Sequence, residues 1–138
     1  MTTNINTWTK GFCAAITGAC SWVYGGLDML LKVLIVCVML DYLSGVFAAW
    51  YTKTLNSQVG YKGILKKIVI LLLVALGSLL GQVLQQPAIR DIVIGFYIAN
   101  EGISILENAA RMDIPICKSL IKFLEQLKNE NDSDEDTE

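Results

Sequence analysis

The hydropathy pattern along the chain contains two long stretches in which polar side chains almost disappear. Residues 68–84, IVILLLVALGSLLGQVL, carry no charge. A core helix of a soluble protein keeps one polar face, and the first half of this stretch has none. At about 1.5 Å per residue it comes close to spanning a hydrocarbon layer of about 30 Å. Lys66 and Lys67 stop it at one end, and Gln85, Gln86 and Pro87 at the other. Residues 27–51 form the second stretch, with VLIVCVML at its centre and Trp50-Tyr51 placed as interfacial aromatics. Asp28 and Lys32, four apart, can pair near its start. Residues 89–111 form a third segment, apolar through IVIGFYIA and then polar through NEGISILEN.

The polar positions inside these segments fall at helical spacing. Asp41, Ser44, Gly45 and Ala48 share one face of the 27–51 segment. Tyr97, Glu101, Ser104, Asn108 and Arg111 share one face of the third, flanked by Asn100 and Glu107. A carboxylate in lipid is costly, so both faces must look toward other helices or water. Counted from the outer helix ends, Asp41 lies about 20 Å deep and Glu101 about 18 Å deep. The two could face one another or a shared water path. Gly77 and Gly81, beside Ser78, present small residues four apart, a face on which two helices approach closely in lipid.

The remaining segments set the expected topology. Residues 52–67 read as a loop with Lys53, Lys62, Lys66 and Lys67 and no acid, which marks it as cytoplasmic. Residues 85–91 are then a short external turn. Residues 1–10 are polar and expected to be mobile. Residues 11–23 are apolar but short, and read as an interfacial helix or a short span. Residues 115–128 form a basic amphipathic helix, with Ile116, Leu120, Phe123, Leu124 and Leu127 on one face, Pro115 in the first turn and Asp113 as a cap. Residues 130–138 hold six acids and no base and are expected to be disordered. The expected fold is an all-α membrane protein. It has an N-terminal segment (1–26) with an apolar or interfacial helix, a three-span membrane domain (27–111), an amphipathic cytoplasmic helix (112–129) and an acidic tail (130–138). The C-terminus is inside, and the N-terminus outside unless 11–23 also spans.

Composition narrows the chemistry. More than half of the residues are apolar, the membrane class. Without the acidic tail the body is net +4, which suits an anionic membrane face. The chain has no His, so His-based catalysis and His metal sites are excluded. The four Cys show no metal-type spacing. No phosphate loop or nucleophile–base pair is present, so neither an enzyme nor a cofactor is expected. Three helices alone cannot enclose a wide aqueous path, so polar faces reaching water imply a homo-oligomer.

LDYLSG at 40–45, VGYKGILKK at 59–67 and FYIANEGISILENAARMDIPI at 96–116 together resemble the toxin secretion/phage lysis holin family. The family includes clostridial toxin-release proteins and holins of phages that infect Gram-positive bacteria. The resemblance covers roughly residues 27–128 and is most specific in NEGxSILEN. It implies a protein of the host bacterial cytoplasmic membrane that oligomerises and opens holes. An endolysin or toxin then escapes, without necessary direct contact, and no nucleic acid takes part. Asp41, Gly45, Gly63, Lys67, Glu101, Ser104, Glu107 and Asn108 match the family's motif positions, and Ser44 stands where Thr is expected. Two other classes remain: a small membrane adaptor or antiholin, and a small oligomeric channel.

Overall fold

The computed structural model describes residues 2–133, with side chains from Thr7 to Glu130 except Val59. It is all-helical: α1 (Thr2–Tyr24), α2 (Met29–Tyr51), α3 (Ser57–Val83), α4 (Ala88–Ala110) and α5 (Lys118–Ser133). Among the described residues two helices, Met29–Tyr51 and Gly60–Val83, are long and apolar enough to cross a membrane. α4, with Arg90, Asp91, Glu101 and Glu107, is not among them.

The helix ends are closed by local chemistry. Asp28 caps α2, its carboxylate accepting from Leu31 N–H at 3.0 Å. The first four helices stop alike, on a residue in left-handed conformation: Gly25, Lys53, Gln85 and Asp113. After each of them the next residue's N–H reaches back five positions, as Gly26 does to Ser21, Thr54 to Ala49, Gln86 to Gly81 and Ile114 to Ala109. This closure satisfies carbonyls that a helix end leaves open. Only Gly25 adopts it without side-chain strain. Asp113 therefore ends α4 rather than capping α5, and its carboxylate accepts from the Tyr51 hydroxyl at 3.1 Å.

α4, the most polar of the long helices, lies at the centre, packed against α2, α3 and α5. Leu31, Leu34 and Val38 of α2, Ile70 and Val74 of α3 and Ile94 of α4 form the core. The outward faces of α2 and α3 are apolar instead of polar, with Met39, Leu43, Phe47, Leu72, Leu76 and Val83 exposed. Asp41, Lys67, Ser78, Arg90, Glu101 and Asn108 are buried. Polar groups inside and apolar groups outside is the arrangement that lipid, not water, rewards.

Several expectations are corrected. Residues 2–10, read as mobile, are the first turns of α1. The loop read at 52–67 is much shorter: α3 begins at Ser57, so Lys62, Lys66 and Lys67 are helical and only Lys53 lies in the connection. Asp28 pairs with Arg90, not Lys32. The small face of α3 is occupied within the chain. A Cβ on Gly77 would come within 2.9 Å of Val93, and one on Gly81 within 3.0 Å of the Gln86 carbonyl. α5 starts at Lys118, after Pro115, and does not lie apart as a surface helix. It folds back along α4, with Leu124 against Gly102 and Lys128 Nζ 5.8 Å from the Phe96 ring centroid. It continues to Ser133, through the first acids of the tail; residues 134–138 lie outside the described residues. α1 packs only against α3 among the described helices and leaves Trp8, Phe12, Ile16 and Trp22 exposed.

Candidate functional site

Three helices each bring one charged side chain to a common point. Asp41 comes from α2, Lys67 from α3 and Glu101 from α4. The Lys67 ammonium pairs with Asp41 Oδ2 and with Glu101 Oε2 at once. All three residues are buried, and Glu101 is 0% exposed. The two carboxylates thus do not face each other directly, because the Lys67 ammonium stands between them. Along α3, Lys67, Ile70, Val74, Ser78 and Gly81 recur at helical spacing and are all buried, so Lys67 is the inner end of the packing face.

Hydrogen bonds hold Asp41 from a second side. Asn108, two turns after Glu101 on α4, donates from Nδ2 to Asp41 Oδ1 at 3.2 Å and to Ser44 Oγ at 3.0 Å. Ser44 Oγ in turn donates to the Asp41 carbonyl at 3.0 Å. Gly45 gives the Asn108 amide room, since a Cβ there would sit 3.5 Å from it. Asp41, Ser44, Gly45, Glu101 and Asn108 therefore do converge as their spacing implies. Ser104 and Arg111 line an adjoining cavity. Asn100 is half-buried and Glu107 exposed, and neither bonds to the cluster.

The cluster holds two carboxylates against one ammonium, and Glu101 Oε1 is a buried oxygen with no partner. In a low-dielectric interior such a group costs about 1–3 kcal/mol, more if charged. Removing one partner of a buried ion pair costs about 3–5 kcal/mol, because the charge left behind is uncompensated, so the cluster depends on all three helices keeping their register.

A second polar cluster sits at the opposite end. Arg90 donates to Asp28 through two nitrogens, at 2.8 and 3.0 Å, to Asp91 at 3.0 Å, and to the carbonyls of Tyr24 at 2.6 Å and Gly26 at 3.3 Å. It ties the turn between α1 and α2 to the start of α4. The Arg90 guanidinium, helped by the Leu31 N–H, holds the Asp28 carboxyl at about 2, below its ordinary 3.8. Between the two clusters, in order along all three helices, lie Leu31, Leu34, Ile70, Val74 and Ile94, a dry layer. The sequence reading missed Lys67 as the counter-ion and Arg90 altogether. The signal for Lys67 was its phase with Ile70 and Val74; the signal for Arg90 was a cation in the first turn of α4, in phase with Ile94 four residues on.

The chain matches the model of the bacteriophage holin family over residues 18–129. It is 42% identical over 113 residues to Uncharacterized protein CPE0383 of Clostridium perfringens, covering 80% of this chain and 84% of that one. It is 38% identical to an uncharacterized 14.9 kDa protein in the nagH 3' region of Clostridium perfringens, covering 91% of this chain and 97% of that one. It is 33% identical to Uncharacterized protein YqxH of Bacillus subtilis, covering 80% and 79%. No solved structure matches the chain. A family match over most of the described helices, including all three that build the buried charge cluster, shows that this chain belongs to the bacteriophage holin family.

Proposed function

We propose that the protein is a holin: it accumulates in the bacterial cytoplasmic membrane, oligomerises and opens holes through which an endolysin or toxin leaves. The observation that carries this reading is the buried cluster of Asp41, Lys67, Glu101 and Asn108 inside helices whose outer faces are apolar. Charges kept inside a lipid-facing bundle are available to line an aqueous path once copies associate. In this reading α4 is the third span. The 52–56 connection and the C-terminus are cytoplasmic, and α1 rests in the opposite interface on its Trp8, Phe12, Ile16 and Trp22 side. α5 must then leave α4 on insertion, because Lys122 and Glu125 would otherwise sit in hydrocarbon beside it.

Induced expression in a bacterium, with and without a co-expressed endolysin, tests the function. Membrane potential should collapse abruptly after a delay in both strains, and only the endolysin strain should lyse. A steady potential at normal membrane levels would reject the holin reading. One observation favours an adaptor or antiholin instead: nearly all the polar groups of the cluster are satisfied within one chain. Such a protein would bind a partner and leave the potential unchanged.

A further inference from the structure

Beside the charge cluster, toward the end of the bundle where α2 meets α3, lies a cavity of about 170 Å³. Its walls include Lys66 of α3 and Arg111 just after α4, with the hydroxyl residues Tyr42 and Ser104. Gly60 and Gly63 of α3 lie against Tyr42, where a Cβ on Gly63 would come within 3.4 Å of the Tyr42 ring. Lys67 forms part of the lining, but its charge is already engaged by Asp41 and Glu101. Lys66 and Arg111 form no ion pair among the described residues. The Lys67 cluster carries one carboxylate more than it has cations, and Lys66 and Arg111 outweigh that excess by one, so the space is net positive.

We propose that this cavity binds the phosphate headgroup of an anionic phospholipid. A phosphodiester offers tetrahedral oxygens. The Arg111 guanidinium can engage two of them in parallel, Lys66 supplies a point charge, and the Tyr42 and Ser104 hydroxyls can donate. Size agrees, since a space of about 170 Å³ is enough for a phosphate group. The surroundings decide for a lipid over a soluble phosphate. Phe47, Tyr61, Ile64 and Leu65, next in sequence to lining residues, are exposed and apolar, and they offer acyl chains a surface directly beside the headgroup site. The proposal rests on the membrane placement given above, but not on hole formation. It makes the lipid a brace between α2, α3 and the end of α4, the three elements that the charge cluster also joins.

The test uses the full chain in phosphatidylcholine nanodiscs, titrated with short-chain phosphatidylglycerol while the thermal midpoint of helix loss is followed. Phosphatidylglycerol should raise the midpoint of the wild type. Lys66→Gln with Arg111→Gln should need about thirtyfold more of it, from the charge-assisted hydrogen bonds to the headgroup that are lost. Lys53→Gln with Lys62→Gln removes the same charge from the same end but outside the cavity, and should shift the titration less than twofold. Equal weakening in both double variants would show bulk attraction rather than a site and overturn the proposal. So would a wild type indifferent to phosphatidylglycerol. Equal stabilisation by glycerol 3-phosphate at the same concentration would overturn the lipid assignment. Because the readout is stability and not lysis, failure here and failure of the holin reading are distinguishable.

Discussion

Replacing Lys67 with Met probes the cluster most sharply, because Met keeps the volume and removes the charge. Lys67 is the one cation bonded to both Asp41 and Glu101. Without it Glu101 loses the partner of Oε2, while Oε1 already has none. The Asp41 carboxylate keeps only the bond from Asn108 Nδ2 to its Oδ1. An uncompensated buried charge costs about 3–5 kcal/mol, and two carboxylates left together place this variant at the upper end of that range. Adding Asp41→Asn and Glu101→Gln to Lys67→Met removes both charges and keeps hydrogen-bonding amides. Most of the loss should return, because removing every member of an ion cluster costs far less than removing one. Thermal and denaturant-induced loss of helical circular dichroism in detergent micelles reads both variants. A Lys67→Met protein as stable as the wild type would refute the assigned role. So would a triple variant no more stable than Lys67→Met alone.

Gly81→Leu should destabilise the single chain by about 1–3 kcal/mol, because the new side chain meets the Gln86 carbonyl at the turn into α4; the same micelle denaturation measures it. The Asp28–Arg90 tie stabilises the fold above the ordinary carboxylate value, and its contribution fades as pH falls from about 3.8 to about 2. An Asp28→Asn variant should therefore lose less stability over that interval than the wild type in a pH-dependent melt. Asp41→Leu and Glu101→Leu should reach the membrane but fail to depolarise cells, with Asp41→Asn and Glu101→Gln milder, as potential recordings beside a membrane-fraction blot would show.

Much of the architecture was legible because lipid-facing helices carry a strong signal. Helices α2 and α3 each contain a long uncharged run, residues 33–40 and 68–83, and the faces of Asp41, Ser44 and Gly45 and of Glu101, Ser104 and Asn108 follow from helical spacing alone. What stayed hidden has physical causes. Lys67 sits in a run of lysines that reads as a basic loop, and only the start of α3 ten residues earlier turns its side chain inward. Lys53, Gln85 and Asp113 end helices in a conformation that composition assigns to glycine, so the stops were misplaced or their residues misread. The contact of Gly77 and Gly81 with α4 depends on which helix follows a four-residue turn, and small-residue spacing cannot say whether the partner is in the same chain. The fold-back of α5 likewise rests on Leu124 meeting Gly102, a pairing across the chain that no local pattern announces.

The central claim is that this protein opens a hole wide enough for a folded enzyme. The most direct measurement is escape of an endolysin-sized fluorescent protein from liposomes as the purified protein is added in increasing amounts. The account predicts no release at low density, then abrupt release of the fluorescent protein and of small dyes together above a threshold. The Asp41→Leu variant should release neither. Release of ions or small dyes while the folded protein stays inside at every density would contradict it and leave a small channel in its place.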